Sequence, residues 1–199
     1  MGQEWRRKRQ RRLRGHKLGY GWPRLNVARL LTASLLLSVG LLVIGGTGHA
    51  NAASTRAEYI AQVDPICQSF VASENAAYKA YRKNTKRWDH LALSGSVKAW
   101  LNATRRTSKS LMRFVQLDVA LVEQIAAVSP PAADAGTVDT WLNDRRHANA
   151  LTASAAAALN RPVPGIDKYF RQVGRANSWA AAGQRAIDGF GFQVCGVSV

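Results

Sequence analysis

The chain has 199 residues, 28 Lys and Arg against 12 Asp and Glu, a net charge of +16, and 47% apolar residues. That length suits one domain plus a targeting segment, with enough apolar side chains for a packed core. Only 6 residues are proline and alanine is abundant, which favours helix over sheet. The charge is uneven: residues 1–29 hold ten basic side chains against Glu4, so they carry +9 of the +16. Because this block flanks an apolar run, membrane targeting explains it better than nucleic-acid binding, and no nucleic-acid partner is expected.

The apolar run is Leu30 to Ile44, and no charged residue stands between Arg29 and His49. Ala50-Asn51-Ala52 then fits the small-x-small rule for signal-peptidase cleavage after Ala52. The run is shorter than the ~20 residues that span a bilayer comfortably, which favours a cleaved signal. Nineteen uncharged positions from Leu30 to Gly48 also leave room for an uncleaved, tilted anchor. Either outcome keeps residues 1–29 in the cytoplasm, makes 30–52 a signal peptide or transmembrane anchor, and puts 53–199 outside. Arg11-Arg12 lacks the apolar residues a twin-arginine signal needs, and the first cysteine is too far downstream for a lipoprotein. A start at Val27 would leave a compact signal peptide without the arginine-rich part.

Cys67 and Cys195 are the only cysteines. An even count in an exported domain predicts a disulfide. It would close a loop of 128 residues and fasten the C-terminal tail to the first helix. A redox or metal role is the rival reading, but there is no C-x-x-C and no His at ligand spacing.

Helical periodicity runs through the exported part. The first helix is predicted over 55–83, with Tyr59, Val63, Ile66, Cys67, Phe70, Ala77, Tyr78 and Tyr81 on one face. Pro65 is expected to start or kink it. Residues 84–95 read as a connection holding a partly ordered segment at Trp88. The second helix is predicted over 96–128, with Val97, Leu101, Thr104, Leu111, Phe114, Val115, Val122 and Ile125 inward. Ser129-Pro130-Pro131 stops it. The third is predicted over 134–159 and the fourth over 166–190, the latter with Phe170, Val173, Asn177 and Ala181 inward. Four amphipathic helices with short connections predict an all-α, antiparallel four-helix up-down bundle.

Glu58-Tyr-Ile-Ala-Gln-Val-Asp-Pro-Ile-Cys67, the Ser129-Pro-Pro-Ala break and Gly191-Phe-Gln-Val-Cys-Gly196 resemble a group of uncharacterised exported actinobacterial helical-bundle proteins. These pair a D-x-I-C near the mature N-terminus with a C-G near the end. The resemblance covers most of 55–196, and Pro65 departs from the alanine expected there. It implies a disulfide-closed bundle and no activity.

Candidates for chemistry are few. His16 and His49 belong to the targeting region, and His90 and His147 stand alone, without the nucleophile or carboxylate that a catalytic histidine needs. Asp139 and Asp144 share a helical face poorly. Glu74 projects near the apolar stripe between Phe70 and Tyr78, where burial would raise its pKa. Trp88, Trp100, Trp141 and Trp179 recur at helical spacing and read as packing residues. The strongest binding candidate is the second helix, where Lys98, Arg105, Arg106, Lys109 and Arg113 fall on one face. Lys79, Arg82, Lys83, Lys86 and Arg87 extend the basic character. A solvated face is the plain reading; attraction to anionic lipid or cell-envelope polymer is the sharper one. The sequence thus predicts a non-enzymatic exported or membrane-anchored bundle without cofactor or metal. The alternative is an extracytoplasmic small-molecule or metal-binding bundle.

Overall fold

A computed structural model describes residues 53, 55–94, 96–161 and 163–195. The segment expected to be a signal or anchor, with Ala50 and Ala52, lies outside them. No described helix is long and apolar enough to cross a membrane. The described part is an all-α bundle of four helices: α1 (Arg56–Ser94), α2 (Val97–Ala126), α3 (Ala135–Leu159) and α4 (Ile166–Ile187). No strand occurs among the described residues.

Local chemistry sets the helix ends. Thr55 and Glu58 form a capping box at the start of α1: the Thr55 N–H donates to Glu58 Oε2 at 3.3 Å and the Glu58 N–H donates to Thr55 Oγ1 at 3.2 Å. Ser96 caps α2 by accepting the Ala99 N–H at 3.4 Å. Pro130 and Pro131 follow α2, where they cannot extend it.

Two apolar clusters fill the interior. One joins Tyr59 and Val63 of α1, Leu121, Val122 and Ile125 of α2, Val138, Trp141 and Leu142 of α3, and Ile187 of α4. The other joins Tyr81 and Trp88, Trp100 and Leu111, Ala155 and Leu159, and Tyr169 of the same helices in order. The start of α1 therefore meets the end of α2, the start of α3 and the end of α4, so successive helices run in opposite directions. Between α3 and α4 the backbones approach closely at Gly183. A Cβ there would stand 3.0 Å from Asp144 Cβ and 3.3 Å from the Trp141 carbonyl oxygen. At the opposite end α1 reaches α4 through aromatic side chains. The Tyr81 and Tyr169 hydroxyls hydrogen-bond at 2.5 Å, and Trp88 stacks on Phe170 at 6.1 Å between ring centroids.

The structure corrects three expectations and excludes one of the two alternatives for Pro65. Residues 84–94 are not a connection but the continuation of α1. Thr85 and Trp88 keep the inward spacing begun at Tyr81, and no glycine or proline interrupts it before Gly95. Pro65 lies inside α1 rather than starting it. Both Pro65 and Ala61, whose carbonyl loses its i+4 donor, are exposed, so water can take the missing bond. Val97 is 62% exposed because it is the first residue of α2; Trp100 and Ala103 point inward instead. In α4, Asn177 and Ala181 face outward. The buried stripe is Tyr169, Ala176, Gly183 and Ile187, about one residue, or 100°, away from the predicted one.

Candidate functional site

The five basic positions of α2 are all exposed: Lys98, Arg105, Arg106, Lys109 and Arg113. They lie opposite the buried stripe of Trp100, Thr104, Thr107, Ser108, Leu111 and Val115. None of the five pairs with a carboxylate among the described residues. Lys79, Arg82, Lys83, Lys86 and Arg87 on α1 are exposed as well. Asn84 joins the two helices here, its Nδ2 donating to Ser110 Oγ at 3.2 Å. The basic segments of α1 and α2 are therefore neighbours. The long α1, which the sequence predicts shorter, brings Lys86 and Arg87 onto the helix surface proper.

The cysteine pair is at the other end. Cys67 and Cys195 stand at disulfide-bonding distance with Cα atoms 5.4 Å apart, inside the usual span of such bonds. Asp64, one turn before Cys67, completes the clasp. Its carboxylate accepts the backbone N–H groups of Gln193 at 2.9 Å, Val194 at 3.1 Å and Cys195 at 3.0 Å. Side-chain sulfur and backbone amides of the tail are thus both held by the Asp64-Pro-Ile-Cys67 turn. Gly191 has φ +110° and a Cβ there would meet Ile60 Cδ1 at 3.2 Å, so the tail can turn onto α1 only with glycine at this position. The turn stacks Phe190 and Phe192 at 4.9 Å and lays both against Tyr59. Nearby, Arg56 pairs with Asp134, whose carboxyl is held below its ordinary range by hydrogen bonding and charge from that guanidinium.

Sequence reasoning picked out Glu74 but missed the rest of the polar layer between the two clusters. Asp118 of α2 is buried, forms an ion pair with Arg145 of α3, and accepts Asn149 Nδ2 at 2.6 Å. Glu74 of α1 is also buried, and its Oε1 finds no hydrogen-bond partner. Burial pushes Glu74 up to about 7; Asp118 adds to the effect and Arg145 opposes it. The layer draws on three different helices, so no single helical pattern displays it. A separate shallow groove of about 230 Å³ lies between α2 and α3, lined by Val119, Val122, Glu123, Arg146 and Ala153. It is smaller than the ~300 Å³ at which small-molecule pockets begin.

His90 is exposed, and His147 is exposed and stacks on Trp179 at 4.6 Å. Trp88, Trp100 and Trp141 are buried, whereas Trp179 is 38% exposed. Asp139 is exposed and Asp144 is buried against α4, so the two form no pair. Among the described residues no group of three His, Cys, Asp or Glu side chains could hold a metal ion. His16 and His49 lie outside the described residues. Comparison with known proteins finds no matching family model, no matching curated protein and no matching solved structure.

Proposed function

We propose that this chain is an exported or membrane-anchored, non-enzymatic helical-bundle module that engages anionic components of the cell envelope through the basic surface of α1 and α2. The observation that carries the reading is ten exposed Lys and Arg side chains on two adjoining helices. Such a surface acts through summed potential, and its attraction is steep in salt. The apolar run from Leu30 to Ile44 with Ala50-Asn51-Ala52 supports the extracytoplasmic address, as does the Cys67–Cys195 pair. The placement also disfavours cytosolic nucleic acid as a partner.

The test is co-sedimentation of the full chain with isolated envelope material across a salt series. Charge reversal at Arg105, Arg106 and Lys109 should weaken binding and flatten its salt dependence. Binding that is absent at low salt, or indifferent to the reversals, defeats the proposal.

A further inference from the structure

The charge of the bundle is sorted along its length. Residues 78–113 and 160–175, which form the end with the α1–α2 and α3–α4 connections, hold fourteen Lys and Arg against Asp89 and Asp167. The rest of the described residues hold four basic side chains against nine acidic ones. The basic end lies about 58 Å along α1 from the end where the chain enters the bundle.

The three most exposed large apolar side chains lie at the same end, whereas Val119 at 43% and Trp179 at 38% lie elsewhere on the bundle. Leu93 is 69% exposed, Val97 62% and Val163 83%. Leu93 stands in the last turn of α1, Val97 is the first residue of α2 and Val163 lies in the α3–α4 connection, all at the basic end. Lys98 follows Val97 directly, Arg161 precedes Val163 by two positions, and Arg87 and Lys168 lie within about two turns of the connections. A soluble polyanion would use the cations and gain nothing from the three aliphatic side chains. A bilayer with anionic headgroups uses both: aliphatic tips enter the interface while Lys and Arg stems extend to the headgroups. The combination of charge and apolar tips decides between these partners.

We infer that the connection end of the bundle docks on an anionic lipid bilayer, with Leu93, Val97 and Val163 entering the interface and Arg87, Lys98, Arg161 and Lys168 meeting the headgroups. This rests on the proposed engagement of anionic envelope components and narrows the partner to lipid. Each cation near the surface contributes about fivefold to partitioning. Each aliphatic tip contributes roughly threefold to tenfold.

The experiment uses the full chain carrying Val97→Cys, labelled without reductant by an environment-sensitive fluorophore, and a reference chain labelled at Gln116→Cys. Phosphatidylcholine vesicles are compared with vesicles that also contain phosphatidylglycerol. The N-terminal apolar run can enter either vesicle, so the readout is the dependence of the tip label on the anionic lipid. A blue shift and several-fold brightening only with phosphatidylglycerol, absent from the reference label, supports the inference. Lys98→Glu with Arg161→Glu should then weaken the response by more than tenfold, and Leu93→Ser with Val163→Ser by about tenfold or more. An unchanged tip label, with vesicle binding still sensitive to Arg105, Arg106 and Lys109, overturns tip docking and leaves the broader proposal standing. So does retention on polyphosphate without any phosphatidylglycerol dependence. Binding to neither vesicles nor polyphosphate overturns both.

Discussion

Glu74 should make the bundle less stable as pH rises through the neutral range. Its carboxyl is shifted up to about 7, first by burial and then by Asp118. The fold therefore favours the protonated acid. Stability from this group is fully present below the ordinary glutamate range near 4.5, declines as pH climbs towards about 7, and levels off above it. The difference corresponds to at most roughly 3 kcal/mol, and nearer 2 once remaining solvent access is counted. Glu74→Gln removes the ionisation and keeps the shape. Urea unfolding of both full chains in nonionic detergent, followed by fluorescence of the buried tryptophans, measures the effect between about pH 5 and pH 8. Glu74→Gln should gain about 2 kcal/mol on wild type across that window, and the difference cancels groups common to both. Stability curves that stay parallel throughout would refute the assignment of Glu74 as a buried, desolvated acid.

Replacing Cys67 and Cys195 together by serine should cost roughly 4–5 kcal/mol in the chain-entropy model for a loop of 128 residues, read as a lower urea midpoint. Asp64→Ala leaves three tail amides without their acceptor and should cost about 2 kcal/mol, with faster reduction of the cysteine pair by dithiothreitol. An unchanged reduction rate would contradict the clasp. Gly183→Ala forces a methyl group against Asp144 and the Trp141 carbonyl, so a loss of about 1–3 kcal/mol is expected in thermal unfolding. A neutral outcome would mean that α3 and α4 separate easily.

Much of the bundle is legible in the sequence because helix signals are local. Ser96 before α2, Pro130-Pro131 after it, and Pro164-Gly165 before α4 place those boundaries within a few residues. The end of α1 is easily misread because Asn84, Lys86, Arg87, Asp89 and His90 look like a polar connection; Trp88 reads as a packing residue, but without Thr85 it does not show that the buried face of α1 continues. The α4 stripe is hard to place because alanine and small polar residues surround it, and its true members include Gly183, which has no side chain to reveal a direction. The exposed basic positions of α2 can be read from 100° spacing alone. Asp64 cannot be read as a tail acceptor, although D-x-x-C puts Asp64 and Cys67 on the same face one turn apart. Its partners are backbone amides at 193–195, about 130 residues away. Asp118, Arg145 and Asn149 escape notice for a similar reason, since their contacts cross between α2 and α3.

The account depends first on the bundle being outside the cytoplasm with its tail bonded to α1. Intact-mass analysis of the protein isolated from cells tests this directly, after alkylation under denaturing, non-reducing conditions. The expected species carries no alkyl group on Cys67 or Cys195 and gains two only after reduction. Protein that takes up two alkyl groups without reduction would contradict both the covalent clasp and the extracytoplasmic address.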